Sequence, residues 1–272
     1  MSEKREFYKR RMFDFESDNR KNLSSKFFDR VNIDLMIARE MQERIIPSQE
    51  ILDSLKKQSG CDIADCIAPS SYIGGDMWYV LDPSNQYNPN VLLTDFSGHG
   101  VSAAINVFNL RLILTQLEDF SLEGKFLERL NSILYRDLIP LQFASMLHGY
   151  LDQDEHVFLY KSAGSPPPMV LLPDGEVIMG DGSGMPIGLV EEVEYDIKIL
   201  PAPPGATIFL FTDDLVDNLC DLKTGDTAYI QHIVRISKSP QDMIERFKKI
   251  ILELQDPTIE DDLTMLVIKR PS

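Results

Sequence analysis

Four aspartates, each in a different short motif, are the residues of this chain best suited to chemistry. They are Asp76 in Ile73-Gly74-Gly75-Asp76, Asp95 in Thr94-Asp95-Phe96-Ser97-Gly98-His99-Gly100, Asp213 in Phe211-Thr212-Asp213-Asp214, and Asp261 in Glu260-Asp261-Asp262-Leu263-Thr264. Three of the four follow or close an apolar run that reads as a strand, so the carboxylates emerge from strand ends and can converge. Converging carboxylates with few cations beside them match the oxygen ligands that hard divalent metals take. Asp95 is followed by small residues and glycine, which lets its carboxylate and the Phe96 carbonyl face a cation in a tight turn. Gly74-Gly75 give Asp76 the same freedom. An Asp beside a Gly is by itself an ordinary turn former, and it is the set of four that argues for a site.

The elements that must position these residues fall into two regions. Residues 1 to about 20 are densely charged and show little periodicity. From Phe28 the apolar positions Phe28, Val31, Leu35, Ala38 and Ile45 recur at alternating three and four spacings, with Gln42 the one polar member, until Pro47 stops the helix. This short seam reads equally as a helix packed on its own domain or as a homodimer contact. The boundary is therefore set at Pro47: residues 1–46 form a charged segment and a linker or regulatory helix, and residues 47–272 form the main domain. Beyond Pro47 the spacing predicts strands over 61–68, 77–81, 91–95, 144–151, 156–162, 169–172, 176–179, 195–200, 207–212 and 264–269, with helices over 102–117, 122–138 and 240–254. Short turns such as Pro173-Asp174-Gly175 point to antiparallel sheets, which the long helices would cover, an α+β arrangement.

Val91 to Ala103 also contains the dinucleotide-type pattern G-x-G-x-x-A at Gly98, Gly100 and Ala103, between a strand and a helix. A dinucleotide site needs a second parallel strand ending in an acidic residue about 20 positions on, whereas Glu118 and Asp119 have no strand before them. The pattern is read as a coincidence of turn glycines.

Composition narrows the partners. Acidic residues outnumber basic ones 43 to 27, for a formal charge of −16, which argues against sequence-independent binding to nucleic acid or to an anionic membrane. Cys61, Cys66 and Cys220 form no CxxC pair, and four histidines offer no zinc-type spacing, so buried reduced thiols are expected. Without an apolar leader or a stretch near 18 apolar residues, the chain is expected in the cytoplasm.

Taken in order, Ile73-Gly74-Gly75-Asp76, the Asp95 motif, Ala163-Gly164-Ser165-Pro166-Pro167, Pro186-Ile187-Gly188, Phe211-Thr212-Asp213-Asp214 and Asp261-Asp262-Leu263-Thr264 resemble the SpoIIE/RsbU-type branch of the metal-dependent type 2C protein phosphatases. Ala38-Arg39-Glu40-Met41-Gln42 to Ile45-Ile46-Pro47 resembles the helix leading into that domain. The resemblance implies a four-layer α-β-β-α sandwich of two mostly antiparallel sheets, with two Mn2+ or Mg2+ ions between them. It implies Asp76 and Asp95 as core ligands, Asp95 bridging both ions with the Phe96 carbonyl assisting, and Asp213 and Asp261 completing the set. Asp262 takes a supporting position and is the rival to Asp261 as a ligand. Such a protein removes phosphate from serine or threonine of a protein, and the branch implies a phosphorylated STAS-type anti-sigma-factor antagonist in bacterial partner switching.

Paired ions of this kind activate a bridging water and clamp the phosphoryl oxygens, so no covalent nucleophile is needed. None is apparent: no cysteine carries the glycine-and-arginine loop of a thiol phosphatase, and Ser183 lacks the nucleophile-elbow glycine. His99 is a candidate acid for the leaving oxygen, against the simpler role of bonding its turn. Trp78 and Tyr79 read as core and rim, Glu191 to Asp196 as a solvated edge, and Asp152, Asp154 and Glu155 as a hairpin turn.

The chain departs from the family pattern at three places. Asp214 stands where glycine is usual, Ser165 replaces a histidine, and Met77-Trp78-Tyr79 replaces Phe-Tyr-Asp. Asp214, beside an implied ligand, opens a second reading: a catalytically weak adaptor that keeps the sandwich and binds a signalling partner. If the turn needs positive φ there, Asp tolerates it better than most residues.

Overall fold

The computed structural model describes residues 23–81, 87–220, 227–253 and 262–272. The chain divides into two units, one ending at Met41 and one spanning Gln42–Ser272. The first contributes most of helix α1 (Leu23–Gln42), in which Val31, Leu35 and Ala38 are half-buried. This helix ends three residues before the expected Ile45. Among the described residues no helix is long and apolar enough to cross a membrane.

The second unit opens with α2 (Gln49–Ser59), a helix the periodicity did not predict. Its ends are nonetheless encoded locally. Ser48 Oγ accepts the Ile51 N–H at 3.3 Å, and Gly60 adopts φ 71° to close the C-terminus by donating to the Lys56 carbonyl.

Among the described residues ten strands follow: β1 (Asp62–Ala68), β2 (Asp76–Val80), β3 (Asn90–Phe96), β4 (Ala144–Asp152), β5 (Val157–Ala163), β6 (Met169–Leu171), β7 (Val177–Met179), β8 (Lys198–Pro201), β9 (Thr207–Phe211) and β10 (Leu263–Lys269). They form two five-stranded sheets, ordered β1-β10-β9-β6-β7 and β2-β3-β4-β5-β8, and every pairing is antiparallel. Antiparallel neighbours on both sides of β3 rule out the dinucleotide-binding unit, which requires a parallel crossover. The expected strand over 195–200 is shorter, beginning at Lys198.

Side-chain alternation along the strands builds four layers. Trp78, Leu93 and Leu147 of one sheet pack with Ile208, Leu210 and Leu266 of the other, forming the core between the sheets. Met77, Tyr79, Leu92 and Phe96 face the opposite way, against α3 (Val101–Leu114) and α4 (Phe126–Asp137). Phe209, Phe211, Met265 and Val267 face outward from the second sheet, toward α5 (Asp214–Cys220), α6 (Ala228–Ile236) and α7 (Pro240–Glu253). With both faces covered, the central strands read as solid apolar runs such as Val91-Leu92-Leu93. The result is the expected α-β-β-α sandwich. Helices α5 and α6 were not predicted, and α4 starts at Phe126 rather than Leu122.

The smaller expectations follow the same packing. Trp78 and Tyr79 are core, the Trp78 Nε1 donating to Asp65 and the Tyr79 hydroxyl to the Val107 carbonyl. Asp152 Oδ1 accepts the Asp154 and Glu155 N–H groups in the β4–β5 turn, while Glu191, Glu192, Glu194 and Asp196 are solvated. Cys61 and Cys66 are buried free thiols, and burial pushes both above the usual thiol range.

Candidate metal centre

Strands β2 and β3 place Asp76 directly opposite Asp95. Alternation puts Asp76 on the face of Trp78 and Asp95 on the face of Leu93, so both carboxylates point to the space between the sheets. Residues directly opposed in an antiparallel pair have Cβ atoms about 5 Å apart, and like charges so placed repel. Burial pushes the Asp76 carboxyl well above the usual carboxylate range, and the Asp95 charge adds to that rise. A hydrogen bond from Thr212 works the other way, and the Asp262 charge raises it again.

The second sheet reaches across to hold Asp76. Thr212, just past β9, donates from Oγ1 to Asp76 Oδ2 at 2.7 Å, and the same oxygen accepts the Thr264 N–H at 2.9 Å. The other oxygen, Asp76 Oδ1, is buried, and among the described residues no hydrogen-bond donor reaches it. A buried carboxylate oxygen without a donor, facing a second carboxylate, is stabilised by a cation. Hard oxygen donors of this kind fit Mg2+ or Mn2+.

Asp262, immediately before β10, is buried and committed to the loop that carries Asp76. Its Oδ1 accepts the Ser70 N–H at 2.7 Å and the Ser70 hydroxyl at 3.0 Å, and its Oδ2 accepts the Gly75 N–H at 2.6 Å. That closeness explains Gly74, where a Cβ would overlap the Asp262 carboxylate. A Cβ on Gly75 would lie 2.7 Å from Ala103 Cβ and 2.8 Å from the Phe96 carbonyl oxygen. The Phe96 side chain is buried in the helix-facing core while its carbonyl lies against Gly75. Gln42 grips the loop from the other side, donating from Nε2 to the Gly74 carbonyl at 2.7 Å and accepting the Gly74 N–H at 3.2 Å.

After Asp95 the chain turns through Gly98 at φ 87° and Gly100 at φ 70° into α3. Nothing lies within 4 Å of a Cβ built on Gly98, so backbone conformation rather than space favours glycine there. His99 is exposed on this turn. Ala163-Gly164 and Pro186-Ile187-Gly188 act elsewhere: Ile187 bridges Ala144, and Gly188 donates to Asn131 Oδ1 at 2.8 Å.

Of the residues expected at the site, the fold brings Asp76, Asp95 and the Phe96 carbonyl together, with Asp262 on the supporting loop. Asp213 follows Thr212 and is exposed at the start of α5. Asp261 lies outside the described residues. Among the described residues no group of three or more His, Cys, Asp or Glu side chains stands in metal-holding geometry. Asp214 is buried as the first residue of α5, and its φ is not positive, Leu141 and His156 being the described non-glycine residues that adopt such values. The condition of positive φ does not arise at Asp214, and Asp in place of Gly introduces no backbone strain there.

Three residues around Asp76 were not singled out as functional from sequence: Thr212, Ser70 and Gln42. Gln42 alone carried a signal, as the polar member of an otherwise apolar seam. Ser70 and Thr212 are ordinary polar residues until the tertiary fold gives them partners.

Comparison with known proteins agrees with this fold. Phosphoserine phosphatase RsbU of Bacillus subtilis (strain 168) is 21% identical over 246 residues, covering 88% of this chain and 71% of RsbU. The SiaA-PP2C domain of Pseudomonas aeruginosa superposes with a TM-score of 0.76 at 18% identity, over 92% of this chain and 100% of that domain. RsbX in complex with magnesium superposes with a TM-score of 0.55 at 17% identity, over 77% of this chain and 94% of RsbX. The family model of Stage II sporulation protein E (SpoIIE) matches residues 87–271, about two thirds of the sequence, and the chain belongs to that family, the SpoIIE/RsbU-type branch of the type 2C serine/threonine phosphatases.

Proposed function

We propose that this chain is a working protein phosphatase that hydrolyses phosphoserine or phosphothreonine on a protein substrate, using two Mn2+ or Mg2+ ions. The observation that carries this reading is the opposed pair Asp76 and Asp95 between two sheets, Asp76 buried and Asp95 half-buried, with Asp76 Oδ1 lacking a donor among the described residues. Asp76 and Asp95 hold the ions, the Phe96 carbonyl assists, and Asp213 and Asp261 complete the set. The magnesium in RsbX and the phosphoserine activity in the name of RsbU are consistent with this assignment. When bound, such ions lower the pKa of water and neutralise phosphoryl oxygens.

The chain's own residues do the positioning. Thr212 fixes Asp76 Oδ2, leaving Oδ1 for a ligand, and Asp262 holds the Ser70 and Gly75 amides so that the Asp76 loop cannot drift. The substrate is a phosphorylated STAS-type anti-sigma-factor antagonist in a partner-switching pathway, acting in the cytoplasm. Residues 1–46 serve as a linker or regulatory segment that contributes a homodimer contact through α1.

The test is hydrolysis of a phosphoserine protein and of p-nitrophenyl phosphate by the purified chain with Mn2+. Turnover that Asp95→Asn abolishes supports the assignment; no turnover, or turnover unchanged in Asp95→Asn, overturns it. Calorimetric Mn2+ titration separates the enzyme from the adaptor, which predicts absent or millimolar binding. Asp214, an extra carboxylate beside an implied ligand, is the main support for the adaptor, together with the N-terminal segment.

A further inference from the structure

We propose that a second cavity, distinct from the carboxylate centre, binds a small amphiphilic anion with a carboxylate or phosphate-type headgroup on a short apolar body. The cavity has a volume of about 320 Å³ and lies between residues 44–51, the end of β2 and the C-terminal part of α3. That volume is at the lower end of the range for small-molecule sites. Its apolar wall includes Ile46, Ile51, Leu81 and Leu114, and its two charged lining residues are Arg44 and Arg111. Among the described residues no carboxylate lines it, although acidic residues outnumber basic ones 43 to 27 in this chain.

Both arginines are exposed, and among the described residues neither guanidinium forms an ion pair. Elsewhere the fold does pair arginine, as in Arg129 with Asp119 and Arg246 with Asp242. Arg111 sits close enough to the cavity floor for its charge to oppose the effect of burial on the Tyr79 phenol. Two guanidinium groups that form no ion pair among the described residues, beside apolar walls, complement a ligand with one anionic end and one apolar end. Guanidinium forks match the planar carboxylate and the tetrahedral phosphate alike, so the shared chemistry is the anionic head. The catalytic machinery is separate: Asp76 and Val80 are the two ends of β2, about 13 Å apart along a strand.

The test is calorimetric titration of the full chain with octanoate and with octyl sulfate, which mimics a phosphate head without being a phosphoester. Octanol serves as the neutral control, and all probes stay below micelle-forming concentrations. The expected result is saturable 1:1 binding of at least one anion, weakened about tenfold or more by Arg44→Gln or Arg111→Gln and similarly weak for octanol. Tighter octanoate identifies a carboxylate site; tighter octyl sulfate identifies a phosphate-type site. Ile51→Glu is the second variant, because it sets a carboxylate in the cavity while completing a capping box with Ser48 that favours α2. It should abolish anion binding with the fold intact by thermal melting. Failure of both anions to bind, or undiminished binding to the Arg44→Gln/Arg111→Gln double variant or to Ile51→Glu, overturns the proposal.

Discussion

At the residue scale, the opposed carboxylates of Asp76 and Asp95 set function against stability. Like charges directly across a strand pair destabilise the fold, and the burial of Asp76 removes much of the water that would screen them. In chelator-treated protein, Asp95→Asn should therefore raise the melting temperature while abolishing turnover. A variant that melts lower than the parent under the same conditions would contradict this account of the site. Asp262 works in the opposite sense, because its buried carboxylate accepts from the Ser70 amide, the Ser70 hydroxyl and the Gly75 amide. Asp262→Ala leaves these donors without their acceptor, and hydrogen bonds to charged groups are worth about 1.5–3 kcal/mol each. Urea unfolding should show a loss of about 3 kcal/mol or more, together with weaker Mn2+ binding, since the Asp76 loop loses its anchor. Asp262→Asn, which retains one acceptor oxygen, should lie between the two.

At the element scale, the point of control is the junction that leads into the second unit. Gln42 closes α1 and makes a reciprocal pair of hydrogen bonds with the Gly74 backbone, two residues from Asp76. Gln42→Ala should cost about 1–3 kcal/mol, the range for two neutral hydrogen bonds lost at a buried position. Mn2+ affinity should fall with it, whereas a surface change such as Gln49→Ala should leave affinity unchanged. Equal metal affinity in Gln42→Ala and the parent would show that the Gly74 clamp is structural only. The elements that escaped sequence reading have physical reasons for doing so. Helix α2 spans 11 residues with Leu52 and Leu55 as its buried apolar anchors, although Ser48 and Gly60 mark both ends. Helix α5 spans 7 residues, too short to establish a helical period. Helix α6 is rich in β-branched residues whose local preference is for strand, and packing of Ile230, Ile233 and Val234 on the sheet overrides it.

For the whole molecule, the layers also bury titratable groups that take no part in the site, and these govern its response to acid. His148 on β4 is fully buried, stacked edge-on against Phe126, with Nε2 at 2.9 Å from Asn90 Oδ1. Burial, and then the Lys161 charge, push its pKa from 6.5 down to about 3. The unfolded chain therefore binds a proton that the folded chain refuses between these values, and stability falls as pH drops from about 6.5 toward 3. The stability difference between the parent and His148→Gln, measured by urea unfolding, should shrink as pH falls through this window. A difference independent of pH would rule out this linkage. The sequence pattern alone determined antiparallel sheets covered by helices, because strands covered on both faces must be written as apolar runs and the turns between them as Gly, Pro, Asn and Asp, while the two-sheet sandwich followed from the family resemblance. It also determined which aspartates to examine, because glycines stand close to Asp76 and Asp95, Gly98 and Gly100 for their positive φ and Gly74 and Gly75 because a Cβ would not fit. The tertiary structure alone decided that Asp76 faces Asp95 across a strand pair, that Thr212 and Asp262 reach over from the other sheet, and that Asp214 begins a helix without strain. Those contacts join residues 136 and 187 positions apart, and no local pattern of residue types encodes which distant side chain will meet a given carboxylate.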